Sequence, residues 1–374
     1  MLAQDFYRLI DKIAPFSLAL EWDNSGFQVG DPQQEVKKVA FALDPTLAVI
    51  QKAIFLRANL LICHHPLIFK PLKNIIFPNP VYHALTLALE NKLTILSAHT
   101  NWDAVGVHFA LAGLLELKPL GFLEPTSPKL LKLVVFVPPE YFSKVSQALF
   151  QAGAGTIGDY TSCSFRAQGL GSFLPPPDGK PFIGNTNEYT ETPELRLEVI
   201  LPESLAFACV EAIKLSHPYE EPAFEFYPCT TYSQSGFGLV GLWEPPREPI
   251  KFVSKKLALP ELPHAGPIPL KVTKVVLCPG SGASYVESAK RSGADILITG
   301  DLTHHHALAA KELGIGVLDA GHFHTERPGM LYLQEKISHA LKSQFKDPGI
   351  SPETDFYFIN DEPPLNFTKP HPQA

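Results

Sequence analysis

Three short stretches of the chain bring histidine together with a carboxylate or with a second histidine. They are CHHP at 63–66, HTNWD at 99–103 and GHFHTE at 321–326. Imidazole and carboxylate ligands together suit Zn, Mn or Fe, whereas a dedicated Ca or Mg cage is built from oxygen ligands. If these stretches meet in the fold, they predict a transition-metal site suited to hydrolysis, with two ions sharing the developing negative charge.

Each stretch also has an ordinary structural explanation. Neighbouring side chains in a strand face opposite sides, so His64 and His65 could be one core histidine and one exposed histidine. Pro66 takes the backbone out of the strand, and the two side chains could then serve one metal each. Asp103 could bind a metal, orient a ligand histidine or simply cap the next helix.

GHFHTE contains two histidines with different prospects. His322 and Glu326 are four residues apart, a spacing that places both on one face of a helix. Pro328 would clash with the carbonyl group of His324 if residue 322 were already helical. We therefore expect the helix to start near Thr325 or Glu326, with His322 in the loop before it. His324 is expected to turn away from the site.

Other polar stretches are less specific. In HHHA at 304–307, His305 could act as an acid–base group or could face solvent at a polar helix start. CPGSGAS at 278–284 could cradle an anion, but a plain tight turn is favoured. HPYEE at 217–221 predicts a capped turn with an inward tyrosine rather than a site.

The elements that must position these groups alternate between strand and helix in the first 120 residues. Apolar runs predict strands at 36–44 and 59–66, and a strand followed by a loop at 93–103. Helical spacing predicts helices at 5–15, 47–58, 81–92 and 107–117. This alternation indicates an α/β fold with a mainly parallel sheet, in which sites collect at the carboxyl ends of the strands. The polar stretches follow such ends.

The same alternation returns late in the chain, after a different middle. We expect a strand with a glycine turn at 271–282, a strand at 294–301 and a strand with a loop at 315–324, and helices at 306–314 and 329–343. The middle predicts an inserted α+β domain with a ferredoxin-like plait. We therefore expect a split α/β domain with halves at 1–126 and 236–362, an insertion at 127–235 and a tail at 363–374. The stretches 124–128 and 233–236 are expected to be linkers.

Composition and charge narrow the function classes. The formal net charge of −7 argues against a protein that coats nucleic acid. The five cysteines are odd in number and widely spaced, which indicates a reduced, cytoplasmic chain. The N-terminal stretch lacks the pattern of a signal peptide, and no run of 18 apolar residues predicts a membrane span. Neither a Ser-His-Asp set nor a Walker P-loop competes with the metal hypothesis.

Five motifs, in this order, resemble the Nif-three-like family. They are EWDNSGFQVGD (21–31), ICHHPLIF (62–69), SAHTNWD (97–103), TGDLTHHHA (299–307) and DAGHFHTE (319–326). The middle segment, with AGAGTIGDYTSCSF (152–165) and HPYEE, resembles the longer bacterial subgroup. Bacterial members are commonly called GTP cyclohydrolase I type 2 homologs.

The resemblance implies two divalent transition-metal ions per chain, which could be Zn, Fe or Mn. His64 and Asp103 would hold one ion, and His65 and His322 would hold the other. Glu326 would bridge the two ions. Members of the family often form a toroidal homohexamer whose metal sites face an internal cavity.

Two further histidines match family positions. His99 corresponds to a position beside the metals in some members and is an additional candidate ligand or neighbour. His305 corresponds to the histidine of the TGD-x-x-x-H motif and is the candidate catalytic acid–base group. His304 stands where many members have an aromatic residue.

The function that the resemblance implies is hydrolysis of a small-molecule, nucleotide-like substrate. In GTP ring opening, water adds at C8 of the purine and formate is released. One alternative is a metal-binding regulatory or metal-insertion protein without catalysis. A second alternative is a metal-dependent phosphoesterase.

Overall fold

The computed structural model describes residues 1–126, 130–158, 160–229, 235–344 and 354–364. The chain forms two compact units, one of Met1–Thr126 with Ser233–Ala374 and the other of Ser127–Tyr232. Most of the expected tail at 363–374, and parts of both expected linkers, lie outside the described residues. Glu124 and Pro125, which were expected in a linker, instead belong to a strand.

The first half of the larger unit contains the alternation that the sequence predicts. Its strands are β1 (Gly26–Val29), β2 (Lys38–Ala42), β3 (Leu60–Cys63), β4 (Thr94–Ser97) and β5 (Lys118–Pro125). Its helices are α1 (Ala3–Ile13), α2 (Leu47–Phe55), α3 (Pro80–Glu90), α4 (Thr100–Trp102) and α5 (His108–Leu114). Side chains of Thr46 and Asn79 cap α2 and α3 by accepting hydrogen bonds from backbone N–H groups.

The smaller unit is the predicted plait. Its strands are β6 (Leu130–Val137), β7 (Phe165–Phe173), β8 (Thr190–Pro202) and β9 (Phe224–Cys229), and its helices are α6 (Phe142–Gln151) and α7 (Ala206–Ser216). The sheet has the order β7-β8-β6-β9, and every neighbouring pair is antiparallel. The chain order βαββαβ with this strand order is that of a ferredoxin-like fold, so the prediction is confirmed.

The second half of the larger unit follows. Its strands are β10 (Gly236–Arg247), β11 (His264–Ala265), β12 (Val272–Leu277), β13 (Ile296–Thr299), β14 (Gly316–Asp319) and β15 (Asp355–Phe358). Its helices are α8 (Pro249–Leu257), α9 (Val286–Arg291), α10 (His304–Leu313) and α11 (His322–Gln344). Helix α11 packs against α1 and α5.

The larger unit has two sheets, and the α/β fold class is confirmed. One sheet has the order β1-β4-β3-β2-β15, and all its pairs are parallel except β1 with β4. The other has the order β11-β14-β13-β12-β10-β5, with β12, β13 and β14 parallel. The histidine stretches follow β3, β4 and β14, so the site forms where the carboxyl ends of parallel strands from both sheets meet.

The expected start of the last helix is wrong. Helix α11 begins at His322, and Pro328 lies inside it. Proline removes the hydrogen bond to the carbonyl group four residues earlier, and the long buried face of this helix offsets that loss. That face carries Met330, Leu333, Ile337 and Leu341, all of which are buried.

The segment after β4 also differs from expectation. The sequence predicts a loop that ends at Asp103, but the short helix α4 leads into a π-helical turn at Asp103–Val107. Such turns occur often at functional sites. This turn presents Asp103 at its first position.

All five cysteines are free thiols. Along the described ranges, no helix is both long enough and apolar enough to cross a membrane.

Candidate metal centre

The five residues expected to bind metal lie together around one buried carboxylate. Glu326 Oε1 is 3.8 Å from His64 Nε2, which is itself 3.4 Å from Asp103 Oδ1. Glu326 Oε2 is 3.1 Å from His65 Nε2 and 3.0 Å from His322 Nε2. The two carboxylate oxygens therefore face two groups of potential ligands, and Glu326 belongs to both groups.

Helix α11 explains how two of these groups converge. Because the helix starts at His322, residues 322 and 326 are one turn apart on the same face. His64 and His65 follow β3 directly, and both backbone N–H groups donate to the Leu43 carbonyl oxygen at 3.1 Å. This double contact holds the backbone after the strand, where the His64 ring faces Glu326 Oε1 and the His65 ring faces Glu326 Oε2.

Every imidazole in the cluster has its Nδ1 atom against an oxygen. The partners are the Ala98 carbonyl oxygen for His64 (2.8 Å), Asp44 for His65 (2.7 Å), Asp301 for His322 (2.7 Å) and Asp23 for His99 (2.7 Å). A carbonyl or carboxylate oxygen only accepts, so the Nδ1 atoms donate. In the neutral rings Nε2 then carries a lone pair, which is how metal-binding histidines are usually oriented.

The donor set fits divalent transition-metal ions. The buried His64 Nε2 atom has no hydrogen-bond partner among the described residues, and the buried Glu326 Oε2 atom faces two imidazole Nε2 atoms. His65 Nε2 and His322 Nε2 lie 3.3 Å apart, although both Nδ1 atoms hold protons. Two ligands of one tetrahedral zinc ion are separated by about 3.3 Å, given bonds of about 2.0–2.1 Å. Cations bound at the two groups of donors would satisfy the lone pairs of these nitrogen and oxygen atoms.

Charge favours a cation at this point. Burial raises the pKa of Glu326. The charge of His64 and the hydrogen bond from His322 lower it by more than burial raises it, and the pKa lies well below 4.5, so the carboxylate stays ionised. Burial lowers the pKa of His322, but Glu326 and Asp301 raise it to about 9. Without a metal the His322 ring therefore holds a second proton, at Nε2, and metal binding would displace that proton.

A glycine turn holds the shared carboxylate. A side chain on Gly280 would lie inside contact distance of Glu326 Oε1, so only glycine leaves room for the carboxylate there. The Gly280 N–H group donates to Thr325 Oγ1 at 2.9 Å, which ties the turn to the first turn of α11. The glycine-rich stretch at 278–284 thus surrounds an anionic group of the protein itself.

The other expected site residues have different surroundings. His99 is buried and forms a third group of potential ligands with His64 and His65. His305 lies exposed in the first turn of α10, belongs to none of these groups, and its role stays a prediction. In the HPYEE stretch, His217 contacts the Phe136 carbonyl oxygen at 2.9 Å, as expected of a packed turn.

The sequence interpretation missed the carboxylates that orient the imidazoles. Asp23, Asp44 and Asp301 each contact an Nδ1 atom. Asp44 and Asp301 follow the ends of β2 and β13, and Asp23 lies in the EWDNSG stretch. For Asp44 and Asp301 the sequence did carry a signal, because each aspartate comes just after a strand whose carboxyl end faces the site.

Asp301→Asn is expected to lower metal affinity by about 10–100-fold, because a neutral amide accepts from His322 Nδ1 more weakly than a carboxylate and orients the ring less firmly. Competition against a coloured chelator measures this affinity. Asp355→Asn is the control, since Asp355 lies outside the cluster and its nearest cation is Lys38. Equal affinities in both variants would mean that Asp301 does not support the centre.

The two histidines of α11 are expected to behave differently. His322→Ala should remove metal from the purified protein, whereas His324→Ala should retain it, because His324 belongs to no group of potential ligands. Elemental analysis of both variants after the same metal-supplemented preparation tests this expectation. A His324→Ala protein without metal would reverse the assignment.

Two cavities adjoin the centre. One, of about 500 Å³, is lined by Asp44, His65, Asp301, His322 and His324 among others. The second, of about 360 Å³, is lined by Trp22, His99, Asp103, His108, Tyr285 and Glu326 among others. Burial lowers the pKa of His108 to about 4, so this ring is neutral at pH 7. Small molecules could reach the cluster from both sides.

Comparisons with known proteins agree over nearly the whole chain. The family model described as Duf34/NIF3 (NGG1p interacting factor 3) matches residues 1–353. A Bacillus subtilis protein named GTP cyclohydrolase 1 type 2 homolog is 38% identical over 351 residues, covering 92% of this chain and 93% of its own length. A protein of the same name from Halalkalibacterium halodurans is 36% identical, covering 92% and 94%.

Solved structures resemble the fold over a similar extent. A Bacillus cereus protein related to NIF3 has a TM-score of 0.69 at 32% identity, covering 98% of this chain and 99% of its own. Staphylococcus aureus protein SA1388 has a TM-score of 0.79 at 26% identity with the same coverage. The likeness therefore includes both compact units.

Proposed function

Because this chain belongs to the Duf34/NIF3 family, we propose that it is a hydrolase that depends on two metal ions. His64 and Asp103 would hold one ion, His65 and His322 the other, and Glu326 both. The observation that carries the proposal is the shared Glu326 carboxylate, whose two oxygens face separate groups of donors. A homohexamer, which the family resemblance implies, and a cytoplasmic location, which the odd number and wide spacing of the cysteines indicate, belong to the same proposal.

Zn, Fe or Mn ions at these positions would supply Lewis acidity for hydrolysis. The chain's own contribution is orientation. Asp44 and Asp301 hold the Nδ1 protons of His65 and His322, so that the Nε2 atoms point towards Glu326. His99, held by Asp23, is a further ligand or a neighbour that limits movement of the other rings.

The substrate class follows from the relatives, which are named GTP cyclohydrolase 1 type 2 homologs. We therefore propose a substrate with a purine-like ring, opened by water at the carbon between two nitrogens with release of formate. His305 is the proposed acid–base group, because it is exposed in the first turn of α10 and follows Asp301 closely.

Formate release tests the hydrolase proposal. Metal-loaded protein is incubated with GTP beside metal-stripped protein, and we expect formate only from the first. His305→Ala should retain metal and lose roughly 100-fold or more of the rate. Equal formate from loaded and stripped protein, or none from either, would contradict a GTP-opening activity.

A metal carrier is the second candidate, favoured by the exposure of the ligands. The His322 side chain is 34% exposed and Asp103 is 24% exposed, so metal could exchange with solvent. Rapid exchange with a chelator, together with no turnover, would favour the carrier. A phosphoesterase has less support, since the described residues lining the two cavities include no lysine or arginine to bind phosphate.

A further inference from the structure

We propose that the cavity on the Asp103 side of the centre binds a planar nitrogen heterocycle, which stacks on Trp22 and hydrogen-bonds to His108. This proposal rests on the proposed function, because the heterocycle would be the part of the substrate that is hydrolysed. It adds that the protein recognises the ring or nucleoside rather than a triphosphate chain.

Trp22 offers an open aromatic surface beside the centre. Its side chain is 59% exposed, whereas the other two tryptophans, Trp102 and Trp243, are fully buried. The ring lies 6.0 Å from the His99 ring and 5.8 Å from the Phe69 ring. An exposed tryptophan that lines a cavity shared with Asp103 and Glu326 is well placed to stack a flat ligand.

The loop that carries Trp22 is held firmly. Asp23 accepts hydrogen bonds from the Thr100 N–H group at 3.1 Å and the Ser25 hydroxyl group at 2.7 Å. It also contacts His99 Nδ1 at 2.7 Å. Trp22 is therefore presented by a backbone already fixed to the cluster, and stacking would require little ordering of the chain.

His108 supplies the polar contact. Its side chain is 1% exposed, and its buried Nε2 atom has no hydrogen-bond partner among the described residues. The same residue lines the cavity with Trp22. Buried polar atoms rarely lack a partner, so the Nε2 atom points to a ligand or a water molecule. The edge of a nitrogen heterocycle carries both donors and acceptors and can pair with either tautomer.

The lining also indicates which part of a nucleotide the pocket fits. Phosphate groups are commonly held by arginine or lysine. Among the described residues lining the two cavities there is neither. A volume of about 360 Å³ lies at the small end for ligand pockets and suits a base or nucleoside. The ring, rather than the phosphates, is what these side chains can recognise.

Tryptophan fluorescence tests the pocket directly, because Trp22 is the exposed tryptophan. Acrylamide quenching of the metal-loaded full chain is measured with guanosine, GTP or inorganic triphosphate. We expect guanosine and GTP to protect Trp22 with affinities within about threefold of each other, and inorganic triphosphate to give no protection. Protection by triphosphate, or by GTP without guanosine, would overturn the proposal. So would a Trp22 side chain already shielded from acrylamide in the ligand-free protein, because a second copy would then cover it.

Calorimetry with guanosine tests the two residues separately. Trp22→Leu should weaken binding by about tenfold, whereas Trp22→Phe, which keeps a ring, should retain most of it. Phe55→Leu is the matched control, since Phe55 is 77% exposed and lines neither cavity. His108→Phe should also weaken binding while metal content stays unchanged. Unaltered affinity in both Trp22→Leu and His108→Phe would reject the pocket.

The outcomes separate this proposal from the hydrolase proposal. If guanosine protects Trp22 but no formate is released, the pocket proposal stands and the hydrolase proposal fails. If formate is released and Trp22→Leu binds guanosine with unchanged affinity, the hydrolase proposal stands and the pocket proposal fails.

Discussion

The Glu326→Gln variant is expected to purify with neither metal ion. Glutamine has nearly the same shape, so the fold should remain, but the shared negative charge and one acceptor oxygen are lost. The amide would face the imidazoles of His65 and His322, which are positioned 3.1 Å and 3.0 Å from the carboxylate. Because one side chain serves both groups of donors, we expect affinity to fall by more than about 100-fold, beyond the effect of an orienting residue.

Thermal unfolding with added metal measures this loss independently of turnover. A ligand at about 100 times its dissociation constant stabilises a protein by about 2.7 kcal/mol, so metal should raise the melting temperature of the unmodified chain. Glu326→Gln should show no such rise. Glu335→Gln is the control, because Glu335 is exposed on the same helix. A Glu326→Gln protein that still binds two ions would refute the bridging role.

Gly280→Ala is expected to impair the centre although it replaces none of the ligands. The added carbon would lie 2.9 Å from Glu326 Cδ and closer still to Oε1, so the carboxylate must move. Gly280 is buried and its backbone is anchored by Thr325, which prevents the turn from yielding. We expect at least about a 10-fold loss of metal affinity, as for a residue that misplaces a ligand.

Gly293→Ala separates this effect from backbone strain. Gly280 and Gly293 have similar positive φ angles of 65° and 74°, so alanine at either position costs about 1–2 kcal/mol of stability. The nearest atom to an added carbon at Gly293 is Lys274 Nζ at 3.7 Å, an ordinary contact. Both variants should unfold at lower temperature, and only Gly280→Ala should lose metal affinity. Equal metal affinity in the two would mean that the turn does not position Glu326.

The strands that carry the site could be predicted because they are buried and parallel. β3, β4 and β13 are mostly apolar and buried along their whole length, and a histidine or an aspartate follows each within two residues. His64 and His99 follow such ends, and so does Asp301. Since parallel strands place their carboxyl ends at one edge, spacing along the sequence was sufficient to suggest that these groups meet.

Strand pairing could not be predicted from the same patterns. β15, which the sequence patterns did not predict, pairs with β2, with Asp355 opposite Lys38, and so joins a sheet built from the first half of the chain. Apolar periodicity identifies a strand but not its neighbour, because partners far apart in sequence are chosen by tertiary packing. The division into two sheets therefore became visible only in the structure.

The start of α11 shows how a local rule was overridden. Pro328 argued for a start near Thr325 or Glu326, yet the helix begins at His322, six residues before the proline. The cost of one missing hydrogen bond is local, whereas the buried face of this helix is formed by residues well beyond the proline. The first turn is further held by Thr325, which also accepts from Gly280. A rule that considers only neighbours in sequence cannot weigh these contacts.

The position of the inserted unit has a consequence for how such proteins diversify. β5 and β10 are antiparallel neighbours, and Thr126 and Ser235 at their ends are joined by hydrogen bonds of 2.9 and 3.0 Å. The chain thus leaves and re-enters the larger unit at the two sides of what would otherwise be a hairpin turn. A whole folding unit can be gained, exchanged or lost at such a place at the cost of one loop, without altering any residue around Glu326. Every residue of the centre lies in the larger unit, so a change of the inserted segment leaves the ligand set of the centre intact.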